Sequence, residues 1–535
     1  MPRISTILAL LLAILFAFMS YASPLFAGSC MNQYEATPPF ITASAQSNVL
    51  LVMDYSGSMQ SQAYYSTTWH RYPYDQVANY GNKWDNHSEY NKSQTYYGYF
   101  DSESYYKYND YEEYWEVDTN TSYSGNEIGD EDSLSGNFLN WLVMSKIDVS
   151  LKALIGGKGS CTGDNCVLKP QGAKRYVNIK NLDCRAYVRP EGYPGHNVYN
   201  NDLLITVSDL WDSEIGTFTD RTANVQVDAS ERQGVVQNNF DSVRFGFMAF
   251  ATGNNDDAYE GDIKHGVHST NMDNMISQVE DIVPYAGTYT GEALQEARDY
   301  LKQDDMFSYN SEYENKGDVE DPYYLEKDDG SLEAAWCRQS YVVLISDGEW
   351  NGNQDPIDPA YDLHTEDIRD ESDMRQNQTA RVYSLFAFSD DSSGENAMKS
   401  IAAYGSFEEL TNCNEDLPYT FSDPSYVDSK NIDYPRSSCE SPDNYDSCCS
   451  EWDRKDSDGI PDTYYSAANG AEMANALTQI FSDIQQDTSS GTSVTTVRSK
   501  TTTGSVVGQA AFFPEKQFSG DREVKWLGDI YSNWF

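Results

Sequence analysis

Basic charge is what this 535-residue chain has least of: 36 lysines and arginines stand against 84 aspartates and glutamates, for a formal net charge of −48. A surface of that sign repels nucleic acid and anionic lipid headgroups and draws cations, and no basic patch offsets it. Apolar residues are diluted as well, with a mean hydropathy of −0.64. The apolar run from Ile7 to about Phe18 is short of the roughly 20 residues a membrane span needs. It follows Arg3 and leads into small residues, the layout of a secretory signal peptide over residues 1–27 with cleavage after Ala22 or Ala27. The mature chain is therefore expected outside the cytoplasm, without a transmembrane span. A G-x-S-x-G elbow and a Ser–His–Asp pattern are also missing, which removes two common hydrolase signatures.

Nine cysteines are present, Cys30, Cys161, Cys166, Cys184, Cys337, Cys413, Cys439, Cys448 and Cys449. In an exported chain these are expected in disulfides rather than on metal, and the odd number leaves one over. Cys30 follows "FAGS", a weak match to a lipoprotein processing site. Cys448 and Cys449 are expected to pair with different partners, because a bridge between neighbours is strained.

Strand-like and helix-like segments alternate along the chain. "NVLLVMD" (Asn48–Asp54), "VRFGFMAF" (Val243–Phe250), "SYVVLIS" (Ser340–Ser346) and "RVYSLFAF" (Arg381–Phe388) read as buried strands. "MDNMISQVEDIV", "TGEALQEARDYLKQ", "ENAMKSIAAYG" and "GAEMANALTQIFSDI" read as helices. In "SLSGNFLNWLVMSKIDVSLKALIGG", Phe138, Leu139, Leu142, Val143, Ile147, Leu151 and Leu154 fall on one helical face that Gly156 and Gly157 close. Alternating elements of these lengths predict an α/β layer fold with a mostly parallel sheet. From Ser61 to about Glu131 the texture is different, rich in tyrosine and almost without Leu, Ile or Val, and reads as an insertion rather than core. Two further insertions are expected at about 157–240 and 409–463. Beyond Thr488, "TSVTTVRS" and "GSVVGQAAFF" predict β structure in a separate segment, 488–535.

Two strands end in oxygen donors. "DYSGSM" sets Asp54, Ser56 and Ser58 in alternation around Gly57, and "SDG" sets Asp347 after Ser346. A third donor, Thr288, lies in "AGTYTG" ahead of a helix. Carboxylates and hydroxyls are hard ligands suited to Mg²⁺, Mn²⁺ or Ca²⁺, and the carboxyl ends of parallel strands are where α/β sheets gather ligands.

The three motifs, in this order, resemble the metal-ion-dependent adhesion site of von Willebrand factor A domains. The resemblance implies a doubly wound, Rossmann-like domain over about 30–487, with Asp54, Ser56, Ser58, Thr288 and Asp347 around a divalent cation, Mg²⁺ before Ca²⁺. In that family the serines bind the metal directly, Asp347 acts largely through water, and Thr288 moves between direct and water-mediated contact. Three hydroxyls and two carboxylates leave a coordination position open, which a partner's carboxylate completes.

A second resemblance narrows the family. "ATPPFITASAQSNVLLVMDYSGSM", "GNFLNWLVMSKIDV", "GEWNG" and "EWDRKDSDGIPDTYYSA" are similar to PilY-type type IV pilus-tip adhesins and pilus-biogenesis factors, which usually carry a C-terminal β-propeller. This chain stops at "VKWLGDIYSNWF", about where that domain is expected to begin. The resemblance implies a cell-surface, pilus-associated protein of a Gram-negative bacterium, exported through the periplasm. Its expected partners are minor pilins or a host or surface protein offering a carboxylate.

Weaker signals remain. "DRKDSDGIPD" resembles an oxygen-rich calcium loop with Asp453, Asp456, Asp458 and Asp462 as candidate ligands. Arg454 stands at the first position of an EF-hand-like register, where Asp453 substitutes if the loop is one residue longer. His265 and His268 lack companion ligands and read as loop. Two other functions compete with adhesion. One is a Mg²⁺-dependent phosphatase with Asp54 as nucleophile, but its usual second aspartate is Ser56 here, so no enzymatic activity is expected. The other is a structural scaffold whose metal site only stabilises.

Overall fold

The computed structural model describes residues 46–489 with interruptions, chiefly 65–86, 121–127, 129–132, 192–201, 210–217, 253–259, 411–427, 432–438 and 440–446. It also describes the backbone of 494–495, 506–518 and 522–534. The signal-peptide segment 1–27, Cys30, Cys337, Cys413, Tyr72 and Tyr74 lie outside the described residues.

The chain divides into two units, one of them Gln46–Gln486. Its centre is a six-stranded sheet. In chain order the strands are β1 (Ser47–Asp54), β2 (Val243–Phe250), β3 (Asp262–His268), β4 (Ser340–Ser346), β5 (Ala380–Ala387) and β6 (Tyr464–Ala467). Their order across the sheet is β3-β2-β1-β4-β5-β6. All neighbours pair in parallel except β3, which runs antiparallel to β2 at the edge. His265, expected in a loop, lies inside β3, where its Nδ1 sits 2.9 Å from Gln278 Oε1.

Period-two alternation explains the layers. From β1, Val49, Leu51 and Met53 enter one core and Leu50 and Val52 the other. On the first face pack α2 (Lys146–Ile155), α3 (Met272–Glu280) and α7 (Gly470–Ser489), through residues such as Leu151, Met275 and Leu477. On the second pack α4 (Thr290–Lys302), α5 (Ile357–Thr365) and α6 (Ser392–Tyr404), through Leu294, Leu363 and Ile401. Sheet strands covered on both faces are the expected home of continuous apolar runs.

Between β1 and β2 the chain builds a smaller α/β body. Strands 133–135, 105–109, 114–117, 225–228, 165–168 and 159–162 join in one mixed sheet, so the first two expected insertions fold together. Strands 218–222, 203–209, 184–190, 175–179 and 87–88 form another. The core of this body is aromatic: Tyr90, Tyr96, Tyr99, Phe100, Tyr106, Trp115, Phe138 and Trp141 are buried together. Where the tyrosine-rich stretch is described, it thus supplies much of this core, although Tyr111 is exposed. Its loops are pinned by α1 (Gly136–Val143), whose Asn140 accepts the Phe100 N–H at 3.0 Å and donates to the Tyr96 and Phe100 carbonyls at 2.8 Å each.

The single helix expected from Phe138 to Leu154 is two. Met144 and Ser145 are extended. Ser145 then opens α2 with a capping box, its side chain accepting from the Asp148 N–H while Asp148 Oδ2 takes the Ser145 N–H at 3.0 Å. The break lets α1 serve the aromatic core while α2 lays Ile147, Leu151 and Leu154 on the main sheet. Cys161 and Cys166 bridge the hairpin 159–168, Cys439 bridges Cys449, and Cys448 is disulfide-bonded as well.

In the second unit, strands Val494–Thr495, Val506–Phe518 and Arg522–Trp534 form a three-stranded antiparallel sheet. Among the described residues no helix is long and apolar enough to cross a membrane.

Candidate functional site

The order of strands reverses between β1 and β4, and in sheets of this kind the crevice outside the carboxyl ends at such a reversal is the usual ligand position. Asp54 ends β1 there and Asp347 follows β4. Both are buried, Asp54 completely. Asp54 Oδ1 accepts the Ser56 N–H at 2.7 Å, and its Oδ2 accepts the Ser346 hydroxyl at 2.7 Å. Burial pushes the Asp54 carboxyl up to about 7, and the neighbouring charge of Asp347 adds to this against the hydrogen bonds from Ser346 and Ser56.

The hydroxyls complete a chain. Ser56 Oγ and Ser58 Oγ are 2.8 Å apart, and the Ser58 hydroxyl donates to Asp347 Oδ1 at 2.7 Å. Asp347 Oδ2 accepts from Lys146 Nζ at 2.6 Å. Ser56 is buried and Ser58 exposed, so the cluster opens to solvent at Ser58. Residues Gly57–Gln60 form a short 3-10 turn that carries Ser58 back over the strand end.

Thr288 stands just ahead of α4 and is 5% exposed. Its N–H donates to Asn351 Oδ1 at 2.9 Å and its carbonyl accepts the Asn351 N–H at 2.6 Å, which ties this loop to the one after β4. Among the described residues no hydrogen bond joins its side chain to the other four. Asp54, Ser56, Ser58 and Asp347 therefore share one hydrogen-bonded network, while Thr288 is tied by its backbone to Asn351 in the loop after β4.

Sequence reasoning missed Lys146. It is the first residue of α2, and the start of that helix is clamped to the loop after Ser58. Lys146 N–H donates to the Ser61 carbonyl at 2.9 Å, Ala63 N–H to the Met144 carbonyl at 3.1 Å, and the Gln62 amide to the Trp141 carbonyl. The signal that could have found it is the S-x-x-D of Ser145–Asp148, a helix-start signature inside what reads as one helix.

The acidic loop is built otherwise. Asp453, fully buried, accepts the Ser457 N–H at 3.0 Å and the Gly459 N–H at 2.7 Å. Ser457 and Gly459 both take positive φ, 57° and 84°, which closes the loop tightly. One carboxylate oxygen each from Asp453, Asp456 and Asp458 lies within 4.8 Å of the others. Asp462 is outside that group and braces the loop from across it, accepting the Arg454 and Lys455 N–H groups at 3.0 and 3.2 Å.

A protein-family model described as "PilY1 homolog, small alpha/beta domain" matches residues 87–204. The chain is similar to that family over this segment, which includes α1 and Lys146. No curated protein matches. Two solved structures are similar in part. Proximal thread matrix protein 1 from the mussel byssus is 13% identical, with 46% of this chain and 40% of that one covered and a TM-score of 0.22. The pilus adhesin SpaC from Lactobacillus rhamnosus GG is 10% identical, with 65% and 39% covered and a TM-score of 0.21. At those TM-scores neither likeness bears on fold or function.

Proposed function

We propose that this chain is a non-enzymatic, pilus-associated surface protein whose central sheet is a von Willebrand factor A-type domain that binds a ligand carboxylate through a divalent cation. The observation that carries the reading is the oxygen cluster at the strand reversal, where Asp54, Ser56, Ser58 and Asp347 join in one network. The donor set fits a hard cation: it is all oxygen, and two buried carboxylates side by side call for positive charge. Ser56 and Ser58 would hold the ion, with Asp54, Asp347 and Thr288 around it, and Mg²⁺ suits so small a set best. When bound, the ion supplies an open coordination position for a partner's carboxylate. The sheet order, with one antiparallel edge strand, supports the domain type, and the match at 87–204 supports the pilus setting. Asp54 makes a poor nucleophile, since it is fully buried with both oxygens engaged.

The test is calorimetric titration of Mg²⁺, Mn²⁺ and Ca²⁺ into the metal-stripped protein, beside Asp54→Ala and Asp458→Ala. Saturable binding that disappears in Asp54→Ala and survives in Asp458→Ala supports the reading. Binding indifferent to Asp54→Ala, or no binding at all, rejects it. A second reading, a scaffold in which the site only stabilises, is favoured by one observation: Lys146 already neutralises Asp347. Under that reading chelation lowers the melting temperature and leaves ligand binding by the folded protein unchanged.

A further inference from the structure

The Lys146–Asp347 pair is an unusual use of a scarce residue. The side chain of Asp347 is fully buried and that of Lys146 is 16% exposed, so the ammonium is held in the cluster rather than in solvent. Both Asp347 oxygens are engaged, Oδ1 by Ser58 and Oδ2 by Lys146. Among the described residues, the second buried carboxylate, Asp54, takes only neutral donors, from Ser56 and Ser346. The ammonium therefore supplies the compensating positive charge of the cluster, in the place where a divalent ion is proposed to act.

From this geometry we infer that Lys146 is a tethered cation that competes with the divalent ion for Asp347, so that metal binding requires the α2 lysine to withdraw. The inference rests on the metal reading given above. Lys146 can leave without unfolding anything. Its backbone is fixed by the Ser61 carbonyl and by the capping box of Ser145 and Asp148, while the four-carbon side chain is flexible and the head is strongly hydrated once outside. Its head shares Asp347 with exposed Ser58, so solvent is close at hand. Because Lys146 opens α2, which packs on the main sheet, the start of that helix reports on occupancy of the carboxyl end of the sheet: the ammonium is seated when the ion is absent and released when it is present.

The experiment titrates Mg²⁺ and Mn²⁺ into the metal-stripped parent, Lys146→Met, Lys146→Gln, Lys146→Arg and Asp54→Ala, and records melting temperatures with chelator and with saturating ion. Removing the charge is expected to tighten binding by about tenfold or more in the Met and Gln variants, while Arg stays close to the parent. The Met and Gln variants should also melt lower in chelator and gain more from the ion than the parent does. Gln keeps a polar head, so it carries the test if Met fails to fold. Equal or weaker binding in folded Met and Gln variants, with Asp54→Ala still abolishing it, overturns the competition and leaves the metal reading standing. If no variant binds an ion, or Asp54→Ala binds as the parent does, the metal reading falls and the competition with it.

Discussion

Two aspartate clusters in this protein look alike in composition and differ in construction. At the sheet edge, Asp54 and Asp347 come from chain segments far apart, and hydroxyls plus one ammonium hold them together. In the loop at 453–462 the carboxylates are local, and Asp453, Asp458 and Asp462 all accept backbone N–H groups of the loop itself. The first cluster exists only once the sheet has formed. The second is hydrogen-bonded within its own turn, which makes its acidity readable as loop architecture before any ion is invoked. Nearby carboxylates are thus a weaker indication of a cation site than carboxylates forced together by tertiary structure and left to find charge compensation.

The largest effect should come from breaking the non-local cluster. Asp347→Ala removes the ion-pair partner of Lys146 and the acceptor of Ser58, and should cost up to about 3 kcal/mol in metal-free chemical denaturation, less what Lys146 recovers by turning out to solvent. Asp453→Ala probes the local cluster and should cost about 2 kcal/mol, by leaving the buried Gly459 N–H and the Ser457 N–H without their acceptor. Ser145→Ala loses the capping box that starts α2 and should cost about 1 kcal/mol by the same measurement. A cost there no larger than that of a surface change would mean that the seat of Lys146 is set by packing alone.

A third carboxylate sharpens the contrast. Glu296 on α4 accepts the Ser308 N–H at 2.9 Å, and burial pushes its pKa up to about 7 from 4.5, with Asp299, Glu260 and Asp262 adding to the rise. A raised folded-state value means stability is fully present below about 4.5 and is lost as pH rises through about 7. Glu296→Gln should flatten that part of the profile, which melting temperatures between about pH 4.5 and pH 8 will check. The smallest effect is expected from Asp458→Ala, whose exposed side chain accepts one loop amide: a change within about 0.5 kcal/mol in chelator. A loss of stability that appears only when calcium is present would move the loop into the class of the sheet edge.

The sheet was legible because β1, β2, β4 and β5 are continuous apolar runs, and such runs have few other homes. Asp54, Ser56 and Ser58 were legible because they follow β1 directly, and Asp347 because it follows β4. The rest depended on contacts no local pattern encodes. Lys146 lies 201 residues from Asp347, and its approach depends on a helix break that the apolar periodicity hides. The aromatic core was missed for a different reason. Tyrosine is weighed as nearly polar by hydropathy, yet Tyr96, Tyr99 and Tyr106 are almost fully buried, their rings supplying the area and their hydroxyls finding partners such as the Asn91, Lys158 and Asp101 N–H groups. β3 escaped because it is short of aliphatic residues and carries histidines.

The insertion between β1 and β2 also governs how the molecule can be made. Asp54 ends β1 and Val243 begins its parallel partner, paired over the full length of both strands. Closing an unstructured loop of that length carries an entropic cost before any contact rewards it, and topologies dominated by such distant pairings fold slowly. Collapse of the aromatic body draws the two ends together first and shortens the effective loop, so assembly is expected to be sequential, the small body before the large sheet. The completed strand end is then a late product of folding, acquired only after the body inserted between β1 and β2 has formed.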